Sequence, residues 1–173
     1  MKKGNLVILR AIEESDLTVL RMWRNEENFK KHFREYLEIS ELAQRKWYEE
    51  DVNNNSKIIM FAIVDSSNSK LIGCCGLTYI NWIHRHADFS IYIGKDLIYI
   101  DNDGYAFEAG QLLIDFGFNQ IGLKKIWTEI YEFDNQKDEF LRALGFEIDG
   151  RLRSNYFYDG RWWDSLIYSL IVD

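Results

Sequence analysis

The stretch that most constrains this fold runs from Asp101 to Phe118, between two segments that read as strands. His86 to Ile93 alternates apolar and polar residues, and Lys124 to Tyr131 is rich in β-branched and aromatic residues. Between them stands a polar loop with one glycine, Gly104, followed by Ala106, Ala109, Leu113, Phe116 and Phe118 at helical spacing. A strand, a helix and a strand at this length favour parallel pairing with a right-handed crossover. The polar turn opening the helix presents unpaired N–H groups at the positive end of a helix dipole, an arrangement suited to an anion and most often a phosphate. A plain strand-to-helix turn is the alternative.

The remaining elements fall around this unit. Leu6 to Ile12 reads as an opening strand, and Glu13 to Asp16 supplies caps for a helix carrying Leu17, Leu20, Met22 and Trp23. Glu26 to Tyr36 suggests a short helix or an ordered loop. Ser40 caps a third helix with Leu42, Ala43, Trp47 and Tyr48 as its expected buried stripe, ending in the turn-rich run Asn53 to Ser56. Ile58 to Val64 and Leu71 to Tyr79 form a hairpin through Asp65 to Lys70. His86 to Ile93 completes an antiparallel meander. Gly73 and Gly76 mark a bulge or a close backbone approach. Asn135 to Leu144 is a helix closed by Gly145, and Phe146 to Phe157 and Trp162 to Val172 are strands turned by Asp159-Gly160. No linker or repeat interrupts the order, so residues 1–173 read as a single mixed α/β domain.

A net charge of −7 argues against nucleic acid and against anionic membrane, and leaves room for an amine substrate. The only cysteines, Cys74 and Cys75, are strand neighbours that point apart, which implies a reducing, cytoplasmic setting. No stretch approaches the ~20 apolar residues of a membrane span. His84 and His86 share a strand face without a third ligand, so no metal is expected.

Three groups of residues then carry a family likeness. They are Gly104 to Ala109 with Phe116 to Phe118, Ala143 to Phe146 with Asp149 to Arg153, and Asp159 to Asp164 with Tyr168 to Leu170. In this order they resemble the GNAT superfamily of acetyl-CoA-dependent N-acetyltransferases, in the branch acting on ribosomal-protein termini, polyamines and amino sugars. The likeness implies an α/β (α+β) domain whose mostly antiparallel sheet is flanked by helices. It also implies a splay between the fourth and fifth strands, here Asp88 to Ile93 and Lys125 to Tyr131. Acetyl-CoA as co-substrate would lie in that splay, its pantetheine on Ile91, Tyr92 and Ile93. Its pyrophosphate would sit on the amides of Asn102, Asp103, Gly104, Tyr105 and Ala106, and Asn135 would face the pantetheine.

The sequence departs from the family pattern in three places. Asp101 stands where the family has Arg or Gln, and Asp103 adds a second carboxylate. Unit charges ~4 Å apart repel by about 4 kcal/mol at an intermediate dielectric, so these side chains must turn away or be screened, with Lys95 the nearest counter-charge, or weaken binding. Asp134, not Asn135, occupies the register of the family's Asn, one helical residue or about 100° away. Leu141 stands where relatives have a Tyr that protonates the thiolate.

Acetyl transfer to an amine calls for a base, and Asp88 is the candidate, on the strand leading to the cofactor edge and on the face of His86. The alternative is that Asp88 only pairs with His86, Arg85 or the incoming amine. Tyr158 is the candidate acid, with Tyr131 and Tyr156 as substitutes. Backbone N–H at Ile93 would polarise the carbonyl. Trp23, Arg24, Asn25, Glu26 and Trp163 are candidate substrate contacts, with core packing of Trp23 as the alternative. The acceptor is a small-molecule amine (amino sugar, nucleotide sugar or polyamine) or a peptide N-terminus. A CoA-binding or ligand-sensing module without catalysis is the alternative function. The aromatic terminal hairpin permits a homodimer.

Overall fold

The strand-forming segments assemble into one eight-stranded sheet in the order β1-β2-β3-β4-β5-β6-β8-β7. The computed structural model describes residues 2–172. Its strands are β1 (Lys2–Lys3), β2 (Val7–Arg10), β3 (Ile59–Asp65), β4 (Leu71–Asn81), β5 (His86–Ile93), β6 (Lys125–Tyr131), β7 (Glu147–Tyr158) and β8 (Arg161–Ile171). Its helices are α1 (Leu17–Asn25), α2 (Glu27–Lys30), α3 (Glu41–Lys46), α4 (Tyr105–Asp115) and α5 (Asn135–Ala143). All strand pairs among the described residues are antiparallel except β5 and β6, the parallel pair joined by α4 that the strand, helix, strand order favours.

Apolar periodicity explains how α4 docks. Ala106, Ala109 and Leu113 are fully buried, and small residues at two of these positions let the helix lie close to the sheet. At its start Gly104 has φ of 96°, a left-handed conformation that a side chain would strain. The terminal hairpin turns through Asp159 and Gly160, both at positive φ, as an Asp-Gly turn of type I′ requires.

Several local expectations are corrected. Gly76 is a site of close approach, and Gly73 is both such a site and the flank of a bulge in β4. A Cβ on Gly73 would collide with the Tyr92 carbonyl, and one on Gly76 with Met60. In β4 the register shifts between Gly73 and Leu71, opposite Ile63/Val64, and again between Thr78 and Asn81. Ser40 does cap α3, accepting from the Ala43 N–H at 3.1 Å. However, Leu42 and Ala43 face solvent and Gln44 is buried, while Trp47 and Tyr48, directly after α3, pack against the core as expected. Met22 is exposed as well.

The sheet forks at its centre. β5 pairs with β6 only at His86–Lys125, Ala87–Ile126 and Asp88–Trp127, whereas β6 stays paired with β8 as far as Tyr131. From Phe89 onward β5 therefore has no strand neighbour on that side. This is the splay expected between the fourth and fifth strands; the two-residue β1 raises their numbers by one.

Candidate active site

At the fork, residues Phe89, Ile91 and Ile93 turn their backbone groups away from β4, since alternate residues along a strand share one edge. Three contacts establish that edge. Thr128 Oγ1 donates to the Phe89 carbonyl at 3.0 Å, Lys137 Nζ lies 3.4 Å from the Ile91 carbonyl, and the Ile93 N–H donates to the Tyr99 carbonyl at 2.9 Å. The strand edge expected to be free is thus engaged by the chain itself. Tyr92 points its backbone the other way, into its pairing with Cys74.

Asp88 stands where the strands part, 5% exposed. Its Oδ2 accepts from Arg34 Nη1 at 2.7 Å, and its Oδ1 is buried with no hydrogen-bond partner among the described residues. The partner is Arg34, not the His86 or Arg85 proposed from sequence, because the chain after α2 folds across the fork. Arg34 Nε also donates to Glu129 at 3.0 Å, and the guanidinium lies 5.5 Å from the Trp127 ring and 5.7 Å from that of Tyr79. Burial pushes the Asp88 carboxyl above its ordinary range, and the attraction of Arg34 offsets only part of that. The geometry is thus a buried carboxylate with one free oxygen beside a second carboxylate and two aromatic faces.

The loop before α4 behaves unlike its expected role. Asp101 Oδ2 accepts from the Tyr105 N–H at 2.9 Å, and Oδ1 from the Ala106 N–H at 2.7 Å. The anion cradle is built, but an internal carboxylate sits in it. Asn102 and Asp103 turn out to solvent. Lys95 reaches Tyr105, its Nζ 3.3 Å from the phenol oxygen, and not Asp101. Upstream, Tyr99 and Ile100 are buried. Tyr99 stacks on His32 at 4.2 Å, meets Phe29 and Phe33 edge-on, and accepts from Lys137 Nζ at 3.1 Å through its hydroxyl. Gln136 donates to the Ile100 carbonyl. Asp96 and Leu97 are left-handed at φ 56° each, at a cost of roughly 1–2 kcal/mol per residue.

On α5, Asn135 is exposed and does not face the fork. The register one residue earlier is the inward one, and Asp134 occupies it. Asp134 is 3% exposed, accepts from the Lys137 N–H at 3.1 Å and holds His32 Nδ1 at 2.9 Å. Lys137, on the same face, is buried, and desolvation draws its ammonium below the usual lysine range against the pull of Asp134 and Asp88.

The other candidates separate. Trp23 packs over Gly94, where any Cβ would collide with the indole, so its role is packing. Arg24 lies 3.8 Å from the Phe33 ring centroid, and its Nε has no partner. Asn25 bonds both the N–H and the carbonyl of Ile39, at 2.8 and 2.9 Å, so its amide is already committed. Glu26 lies between α1 and α2, its carbonyl accepting from Phe29 and Lys30. Trp163 meets Phe133 edge-on at 5.0 Å, and the Arg161 guanidinium lies over its ring, 3.3 Å from the centroid. Tyr131 and Tyr156 stack at 3.7 Å, and Tyr158 joins them around Phe133. Tyr158 does not reach Asp88 by register. It pairs with Arg161, while Trp127 beside Asp88 pairs with Ser169, roughly 26 Å further along β8 at ~3.3 Å per residue. Arg34, Glu129, Tyr99 and Lys137 were not identified from sequence. Only Lys137 had a signal, its place on one helical face with Asp134 and Leu141.

Comparison with known proteins gives concordant matches. The acetyltransferase (GNAT) domain profile matches residues 7–147. The spermidine N(1)-acetyltransferase of Escherichia coli K12 is 26% identical, the match covering 94% of this chain and 84% of that protein. The Vibrio cholerae spermidine N(1)-acetyltransferase is 27% identical over 90% of this chain and 87% of its own. A crystal structure of the Vibrio cholerae spermidine N-acetyltransferase in complex with CoA and spermine superposes with a TM-score of 0.87, at 25% identity and covering 97% and 96% of the two chains.

Proposed function

The chain belongs to the acetyltransferase (GNAT) domain family, and on that premise we propose that it transfers the acetyl group of acetyl-CoA to a primary amine of a polyamine. One observation carries this reading. Asp88 sits at the fork with its Oδ1 unpartnered, in a setting of Glu129, Trp127 and Tyr79 that already holds a cation, the Arg34 guanidinium. A polyamine ammonium offers that setting the same charge. The spermidine acetyltransferases among the relatives and the net charge of −7 support a polyamine over an amino sugar or a peptide.

Acetyl-CoA supplies the activated acyl group. As the chain is folded here, its binding groups do not fit that ligand, because Asp101 fills the anion cradle and Tyr99 occupies the Ile93 N–H. The amine side can be derived from the chain's own residues. An alkyl amine with pKa near 10 is almost wholly protonated at neutral pH. In this reading Asp88 takes the proton from the amine through Oδ1, which is buried and unpartnered among the described residues, its basicity raised by burial. Arg34 holds the other oxygen, Oδ2, which leaves Oδ1 as the oxygen available for the proton. Alignment of amine and acyl donor can supply ~7–11 kcal/mol, so a site without a tyrosine at Leu141 retains a route to catalysis.

Acetyl-CoA-dependent thiol release across spermidine, an amino sugar and a peptide N-terminus tests the reading. Spermidine is expected to give the highest kcat/KM. Turnover confined to the sugar or the peptide rejects the polyamine. CoA binding without turnover of any amine would favour the non-catalytic module.

A further inference from the structure

Two features of the fork have no place in the reaction just described: the buried Tyr99–Ile100 pair, and the Asp101 carboxylate on the first amides of α4. They lie on one continuous segment. That segment satisfies one N–H of the exposed β5 edge (Ile93) and two N–H groups at the helix start (Tyr105 and Ala106). An extended amide chain ending in a pyrophosphate would seek the same kinds of donor at the same spacing. We propose that the Ile98–Asp101 segment is an intramolecular occupant of the acetyl-CoA cleft, which acetyl-CoA must displace, and that Asp101 sets the affinity for it. This rests on the reading that acetyl-CoA binds at the fork.

The segment is anchored for this purpose at both ends. Tyr99 is held through its ring by His32, Phe29 and Phe33 and through its hydroxyl by Lys137. Asp101 is held by an electrostatic contact that a pyrophosphate reproduces with more negative charge. The two left-handed residues, Asp96 and Leu97, lie just upstream, and Leu97 and Ile98 are exposed. The connecting turn is thus kept in an unfavourable conformation by the contacts that follow it. Leaving the cleft relieves that conformation.

Amide hydrogen exchange of the full chain, with and without CoA, reads the displacement directly. Ordinary ligand binding protects the residues it touches. Here peptides covering residues 97–101 are expected to exchange faster on adding CoA, while those covering 104–108 stay protected because one anion replaces another. Calorimetry of Asp101→Asn provides the second reading, since Asn retains a helix-capping oxygen and removes the competing charge. CoA is expected to bind the variant at least ten-fold more tightly than the wild type. Pantetheine, which lacks the pyrophosphate, is expected to bind both equally. Greater protection of 97–101 with CoA overturns the proposal while leaving the acetyl-CoA reading intact, as does unchanged or weaker CoA binding by Asp101→Asn. Failure of both proteins to bind CoA overturns the acetyl-CoA reading and the proposal with it.

Discussion

Asp88 is pulled in two directions, by burial toward its neutral form and by Arg34 toward its charged one. Burial prevails, so the folded-state pKa lies above the ordinary 3.8. A raised carboxyl contributes stability that is present below 3.8 and lost as pH rises through the folded value, so at neutral pH the ionised Asp88 is a stability cost. Removing the compensating cation deepens that cost. Arg34→Met is expected to lose about 2–4 kcal/mol in urea unfolding at pH 7, less than the loss for a fully buried pair because the Arg34 side chain is 33% exposed. Because Arg34 holds the Asp88 pKa down, the acidic limb of the variant's pH–rate profile is expected to move to higher pH. Unchanged stability together with an unmoved limb would mean that the pair has no energetic role. Asp88 was legible in sequence because it lies on the strand that enters the fork, two residues after His86. Arg34 was not, since it lies 54 residues away in a charged stretch without periodicity, and only the folded chain brings the two together.

Among the elements, α4 was the most legible and also holds the least expected contact. Its buried face follows from Ala106, Ala109 and Leu113, all at helical spacing. Glu108 on the same helix accepts from the N–H groups of Asn5, Leu6 and Val7 at 2.7–2.8 Å, fastening the start of β2 to the helix, a contact no local pattern reveals. Glu108→Gln keeps the shape and removes the charge. It is expected to cost about 1–3 kcal/mol, and each kcal/mol lowers Tm by roughly 2–4 °C in a chain of this size. A Tm within 1 °C of wild type, on the order of the error of such a scan, would show the clamp to be idle. On α5 the opposite happened. The helix was placed correctly, but its inward register belongs to Asp134 and Lys137 and not to Asn135. A one-residue choice on a helix turns a side chain by about 100°, and sequence alone did not fix it. In α3 the Ser40 cap was legible and the stripe only in its Trp47 and Tyr48 half, since the helix buries Gln44 where apolar spacing pointed to Leu42.

For the whole molecule, the strand succession was readable from alternation, turns and the crossover rule, which together leave few topologies. The fork came through the family likeness, and its location at Asp88–Trp127 agrees with the register. The closed state of the fork was not readable, because it depends on Tyr99 meeting His32, Phe29 and Phe33 from a distant part of the chain. The net charge of −7 bears on the acceptor at this scale. A polycation approaching an acidic protein is steered by long-range attraction, so kcat/KM for spermidine is expected to fall as ionic strength rises, through KM more than kcat. A salt-independent KM would separate the charge from substrate capture. The central claim, that Asp88 at the fork accepts the proton of a polyamine during acetyl transfer, is tested most directly by the pH dependence of spermidine-dependent thiol release in wild type and in Asp88→Asn. The wild-type rate is expected to rise with pH through an apparent pKa above 3.8. The Asp88→Asn rate is expected to be lower by roughly 10²–10⁴-fold and to lack this limb. A variant that keeps both the wild-type rate and the wild-type pH profile would contradict the claim.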